Sequence, residues 1–588
     1  MRTTDSKIHS TRQKLMIRPK GFAFFTVVAV CVSVSDARAN DYLRTVLLSE
    51  TPISGPFGQV TTGVDKRLPP PMNPSIGSTG VVSGVSRIGQ AGSNQYVAWS
   101  EINGQLEGLF ALPFSYDSHS ESFDVTRLAS RVAFDSQGGA IASLGYLNAE
   151  FEQRDAITRF TPNTLPVFVA GEDHEIAGAD TPTLLAALGS DHFPTLNDSG
   201  GIAFGATIRT GTVEQANYQD SVWLARGGEA TLVFTSGPNT ADDNPLSIKR
   251  LHRMRLNGND EIAIQARASS PTSAWDVDTI WKVGAAGPEL IVRSGTPAPG
   301  TEGSIVFADQ SGDIFGGINL NDSGQVAFSA RISQASEPNR PSGGGIWRGT
   351  SAADLQPVIM TGDPAPALPD GFQVTQLKPF LMNDAGEIAV SLVAIQYVED
   401  AASGSLTEAG YRSGLFAGYT ADDMRLVAED GPAPDMPAGV NFAPLSQNRT
   451  NWPGIAINDA GRVAFGATFY GEGVDASERV GIYAEDRSGR LRLIVRTGDV
   501  LDVDDGPGAD LRTVKAVNFL SNIAAGYQPH DGFNDAGYLA FSAEFTDGTS
   551  GVFVSSAATV PEPAGADLVS IALWAAVFSR RSLVRRRV

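Results

Sequence analysis

The chain has 588 residues, with 65 Asp and Glu against 44 Lys and Arg, one Cys, 63 Gly and 34 Pro. A single cysteine excludes an intrachain disulfide framework, and 42% apolar with 19% charged residues describes a core-forming chain and not a disordered one. A net charge of −21 argues against a nucleic-acid partner, because phosphate binding needs clustered cations that release counterions.

The chain opens with Arg2, Lys7, Arg12, Lys14, Arg18 and Lys20, then an apolar stretch from Phe22 to Val34, then Ala37-Arg38-Ala39. A basic segment, a short apolar segment and an A-x-A site are the parts of a secretory signal peptide. Residues 1–39 are therefore expected to be removed between Ala39 and Asn40, by export machinery and signal peptidase. The apolar stretch is shorter than the ~20 residues of a spanning helix. Cys31 lies within it, so the mature chain is expected to hold no cysteine, which excludes thiol catalysis and thiolate metal sites.

From there to residue 556 one motif recurs. Asn-x-x-Gly-x-x-Ala-Phe is intact at Asn197/Gly200, Asn321/Gly324, Asn458/Gly461 and Asn534/Gly537. Degenerate copies start at Asn257 and Asn383, and weaker ones lie around Asp135 to Gly138 and Gly92 to Trp99. After the motif comes a glycine with an apolar pair, as in Gly345-Ile346-Trp347, and then a β-branched run closing on a Gly/Pro turn, as in Leu290 to Pro297. With an apolar segment before each Asn, a repeat of about 60 residues supplies about four strands.

The strand after the motif alternates with period two. In Val326 to Ile332, Val326, Phe328, Ala330 and Ile332 share one face, and Ala327, Ser329 and Arg331 share the other. Bulky faces opposite small ones suit stacked four-stranded sheets, the blades of a β-propeller. Thr45 to Pro52 matches the third piece of a repeat with nothing before it, and the repeat from Asn534 to Val554 lacks that piece. The expected fold is thus all-β: a closed propeller of seven or eight blades, eight favoured, with the N-terminal strand completing the last blade and removing two sheet edges.

The intact repeats resemble a bacterial surface-protein family of tandem NxxGxxAF repeats with varied C-terminal anchors. That resemblance implies an exported, cell-surface setting and no assigned activity.

The Asn-Asp pairs, such as Asn321-Asp322 and Asn458-Asp459, read as Asx-turns that set strand entry. Calcium is the alternative, and the one loop that approaches a calcium pattern is Asp502, Asp504, Asp505 and Gly506, with the glycine a place early. His174 in Glu172-Asp173-His174-Glu175 lacks the second histidine of H-E-x-x-H, and His119, His192, His252 and His530 are scattered. The longest departures from the repeat run from Tyr397 to Tyr411 and from Val440 to Pro453, the latter with Arg449 and Trp452.

The tail, residues 557–588, reads Pro561-Glu562-Pro563, an apolar run from Leu568 to Phe578, then Arg580, Arg581, Arg585, Arg586 and Arg587. It resembles the PEP-CTERM sorting signal of Gram-negative bacteria. The resemblance implies stop-transfer held by the arginine cluster, transient anchoring in the inner membrane by a hydrophobic helix, and processing by an exosortase near the motif. Without the two basic ends, which carry seven basic and two acidic residues at the front and five and one behind Pro563, the body holds 32 basic and 62 acidic residues. The expectation is an exported, non-catalytic surface or matrix protein, structural or binding a polysaccharide or matrix protein, with no catalytic residue or cofactor assigned. The alternatives are a glycan hydrolase or lyase on the same scaffold and a calcium-stabilised scaffold.

Overall fold

The computed structural model describes residues 42–559, apart from 57, 63–71, 88–94, 119–120, 148–151, 175–183, 189–193, 211–216, 240–245, 272, 274, 310–311, 400–405, 446–453, 476–478, 505–507 and 520–531. Both terminal signals, including Ala37, Ala39, Pro561, Glu562, Pro563 and the arginine cluster, lie outside the described residues. No described helix is long and apolar enough to cross a membrane.

The strands form eight sheets in chain order, so the propeller has eight blades. Blade 1 spans residues 52–111, blade 2 114–171, blade 3 184–235, blade 4 237–293, blade 5 305–360, blade 6 372–429, blade 7 440–496 and blade 8 500–555. Leu43–Leu48 pairs antiparallel with Ser550–Ser555 and forms the outer strand of blade 8, as its sequence predicts. Blade 1 packs against that junction, with Val46, Leu47 and Ile53 in one buried cluster with Trp99, Ala540 and Val552. The other large clusters likewise join neighbouring blades, so the core is the set of sheet-to-sheet interfaces around the ring.

Within a blade, the long strand before the motif turn is the inner one, with a short strand pairing along the start of its free edge in blades 2, 4 and 8 (Phe114–Ser118, Gly237–Asn239 and Val500–Asp502), and the inner strands of successive blades touch one another. The motif turn leads to the second strand, and the third and fourth follow outward. In blade 5 the second strand, Val326–Gln334, pairs with Pro341–Gly349, which sets Phe328 opposite Trp347 and Ala330 opposite Gly345. The Trp347 ring folds back over Gly345, where an added Cβ would meet it at 2.6 Å. That contact explains the glycine two places before the aromatic in Gly345-Ile346-Trp347 and in Gly414-Leu415-Phe416. Blades 3 and 4 replace the glycine by Ser221 and Thr279, whose hydroxyls accept the indole N–H of Trp223 and Trp281 at 2.8 and 3.0 Å.

Blade 1 corrects the sequence reading. Its motif turn is Gly77 to Gly80, where the Gly80 amide bonds to the Gly77 carbonyl and φ is +83°. Of the Gly92 to Trp99 segment, the described part lies instead in the third strand, Tyr96–Ile102, where Trp99 stands opposite Gly84 of the second strand. Ala98-Trp99 imitates the Ala-Phe of the motif in sequence, but it occupies the place of the third-strand aromatic.

Candidate functional site

The repeated Asn residues form a ring of contacts that runs unbroken from blade 3 round to blade 1 and is interrupted at blades 1 and 2, where Gly77 and Asp135 take the Asn position. The side-chain oxygen of Asn197, Asn321, Asn458 or Asn534 accepts the backbone N–H four residues on, at 2.6 to 3.0 Å, and closes its own turn. The side-chain amide then donates to the next blade. Asn197 Nδ2 reaches the Asn257 carbonyl at 2.7 Å, Asn257 that of Asn321 at 2.9 Å, Asn383 that of Asn458 at 2.8 Å and Asn458 that of Asn534 at 2.9 Å. Asn321 reaches the Asp384 carbonyl at 3.3 Å, and Asn534 reaches the Gly77 carbonyl of blade 1 at 3.2 Å. Gly200, Gly324, Gly461 and Gly537 supply the positive φ that each turn needs, between 72° and 91°.

Where an Asp follows the Asn, it adds a second inter-blade bond. Asp384, Asp459 and Asp535 accept the backbone N–H of Asp322, Asp384 and Asp459, at 3.1, 2.9 and 2.7 Å. These oxygens are spent on holding blades together. In the candidate calcium loop, Asp502 Oδ1 accepts the amides of Asp504 at 3.2 Å and Asp510 at 3.0 Å, and Asp505 is outside the described residues. Among the described residues no group of three or more His, Cys, Asp or Glu is placed to hold a metal.

His174 belongs to a cluster between blades 2 and 3, on the face opposite the Asn ring. Its Nδ1 lies 2.9 Å from the Glu172 carbonyl and 3.4 Å from the hydroxyl of Tyr146, and its ring packs 5.0 Å from Phe168. The Glu172 carboxylate accepts the amides of Asp155 and Leu188, both at 3.1 Å. Burial pushes the Glu172 and Asp155 carboxyls above their ordinary range, despite those amides and Arg127, which pairs with Asp155 at 2.9 Å. Two carboxyls biased toward holding a proton, beside an imidazole and a phenol, are a general acid–base set in kind.

The inner strands hold a feature that the motif search passes over. Blade 4's inner strand, Leu246–Leu256, carries Lys249, Arg250, Arg253 and Arg255; that of blade 6, Phe372–Met382, carries Lys378, and that of blade 8, Leu511–Asn518, carries Lys515. Acidic residues on the described motif-preceding strands are confined to Glu121 and Asp124 of blade 2, and the short edge strands of blades 2 and 8 add Asp117 and Asp502. The signal was present as Lys249-Arg250-Leu251-His252-Arg253-Met254-Arg255, a basic run within an acidic body. Of the long departures, residues 397–399 and 406–411 extend the second and third strands of blade 6 and expose Tyr397, Val398, Leu406 and Tyr411, with 400–405 outside the described residues. Arg449 and Trp452 are outside the described residues.

Residues 75–567 match a family of unknown function, DUF7453. The chain belongs to that family. No curated protein matches it. Among solved structures, a prolyl endopeptidase is similar at 10% identity and a TM-score of 0.34, over 72% of this chain and 49% of that one. The Dos1 propeller is similar at 9% identity and 0.32, over 88% and 96%, and polysaccharide lyase Uly1 at 11% and 0.30, over 74% and 92%. The chain spans about half the length of the prolyl endopeptidase. Likenesses this distant leave the activity of this family member to be argued from its own residues.

Proposed function

We propose that this member of the family is an exported binding propeller, delivered by its signal peptide, processed by an exosortase at Pro561-Glu562-Pro563 and displayed at the surface or in the matrix of a Gram-negative bacterium. The observation that supports the reading is which residues build the described ring. Its first strand begins at Leu43 and its last ends at Ser555. Cleavage after Ala39 and near the Pro-Glu-Pro motif would therefore remove no described strand, and the ring closes on residues that survive both cuts. A rigid ring whose repeated polar groups are engaged between blades offers its loops and channel for recognition. Replacing Pro561 and Glu562 by Ala tests this. The variant is expected to accumulate as a larger, membrane-associated form, and unchanged processing and surface display would refute it.

A second reading, a glycan lyase or hydrolase, draws on the Tyr146, Glu172 and His174 cluster. It predicts that the purified protein shortens a uronate or neutral polysaccharide and that Glu172→Gln stops it. Intact polymer after prolonged incubation with the wild type removes this reading.

A further inference from the structure

We infer that the channel-facing inner strands of blades 4, 5 and 6 bind a linear anionic polysaccharide, a uronate or sulfated chain. The inference rests on the binding reading above and adds the ligand class and the site.

Strand register sets where the cations stand. The pairing of Leu246–Leu256 with Ile262–Ser269 slips twice, between Ile248 and Arg250 and between Leu251 and Arg253, which leaves Lys249 and His252 as extra residues at bulges. Blade 6 slips in the same region, between Leu377 and Phe380, and Lys378 falls in that bulge. Blade 8 slips between Val514 and Ala516, at Lys515. The faces of a blade are covered by its neighbours, so an exposed side chain on an innermost strand opens onto the channel or its mouth. Lys249, Arg250 and Arg253 are exposed and Lys378 is half-buried. Of the body's five lysines, three therefore stand at inner-strand bulges.

Two of these cations are uncommitted. Lys249 pairs with Asp276 at 2.6 Å and Lys515 with Glu544. Arg253 and Lys378 make no hydrogen bond or ion pair with any described residue. Between them lies Gly316-Gly317 of blade 5. On one side, Arg253 stands opposite Gln265, whose amide donates to the Phe315 carbonyl at 2.8 Å. On the other side, an added Cβ at Gly317 would meet the Phe380 ring at 3.0 Å, two residues from Lys378. Gly317 also has φ of +58°. Two free cations thus flank a floor without side chains, which lets a chain approach the backbone between them.

An acidic exterior around basic inner strands selects the ligand's form. It repels a broad polyanion such as duplex nucleic acid, while a narrow chain with charges at intervals reaches the cations. Exposed cations binding such a chain lose strength with salt.

The test uses the purified protein with polygalacturonate, a sulfated galactan, dextran, single-stranded DNA and inorganic phosphate. Binding to one or both acidic polysaccharides, weakening as salt rises, with none to dextran, is expected. The double variant Arg253→Glu/Lys378→Glu is expected to lose at least tenfold in affinity with an unchanged melting temperature, and Arg340→Glu, on the turn between the second and third strands of blade 5, to bind as wild type. Wild-type affinity in the double variant, absence of salt-dependent binding to both polysaccharides, tighter binding to the DNA, or displacement of the polymer by phosphate at equal charge concentration would each overturn the inference. Correct surface display together with any of these results would leave the binding-propeller reading standing.

Discussion

At the residue scale, the Asn of the motif acts through both ends of its amide. Asn458 is fully buried; its oxygen closes the turn at Arg462, and its nitrogen holds the next blade at Asn534. Replacement by Ala leaves the Arg462 amide without its acceptor and removes one of the two donors to the Asn534 carbonyl, which keeps the Gly537 amide, and Asn458→Ala is expected to cost about 1 to 3 kcal/mol in denaturant unfolding. Blade 2 carries a natural variant at this position. Asp135 accepts the amides of Gly139 and Gln137 at 2.6 and 3.0 Å but has no N–H to donate onward. The link from blade 2 to blade 3 falls instead to the Ser136 amide, which donates to Asp198 at 2.8 Å. Burial raises the Asp135 carboxyl above its ordinary range. A carboxyl whose folded value is raised stabilises most when protonated, below the unfolded value, and loses that contribution as pH rises through the folded one. Asp135→Asn is therefore expected to gain about 1 kcal/mol at neutral pH, and the gain to shrink toward pH 4. Melting curves across that range check both the gain and its sign.

At the scale of elements, the N-terminal strand is the closure. Val46 and Leu47 are buried on Leu43–Leu48, and without that strand Ser550–Ser555 becomes an exposed edge. A chain beginning at Pro52 is expected to lose at least about 3 kcal/mol and to self-associate. A peptide covering residues 42–50 added back should restore both the melting temperature and the monomer. Trp347, fully buried among Phe307 and Phe328, is expected to cost about 3 to 5 kcal/mol as Ala. Most of this architecture was legible. Period-two alternation in Val326 to Ile332 and the unmatched strand pieces at the two ends are local patterns, and stacked sheets follow from them. Blade 1 was not legible in the same way. Gly77-Ser78-Thr79-Gly80 has no Asn, so its turn is invisible to the motif, and Ala98-Trp99 supplies a decoy one strand later.

For the whole molecule, the net charge of −21 hides three parts: two basic ends and an acidic body with a basic interior lining. The basic run of blade 4 was readable in the sequence, but its place was not. Only the pairing register shows that Leu246–Leu256 is an innermost strand, and only the slips at Lys249 and His252 show where side chains leave the regular alternation. The Tyr146, Glu172 and His174 cluster was hidden for a related reason: its members come from an outer turn and from the far end of a second strand.

The central claim is that the described ring lies between an export signal and a sorting signal, each removable without loss of a described strand. The intact mass of the protein recovered from the cell surface tests it most directly. The account predicts one chain that starts at Asn40 and ends near Pro561 to Pro563. A surface form that keeps residues 1–39 or the arginine cluster, or a full-length chain confined to the cytoplasm, would contradict it.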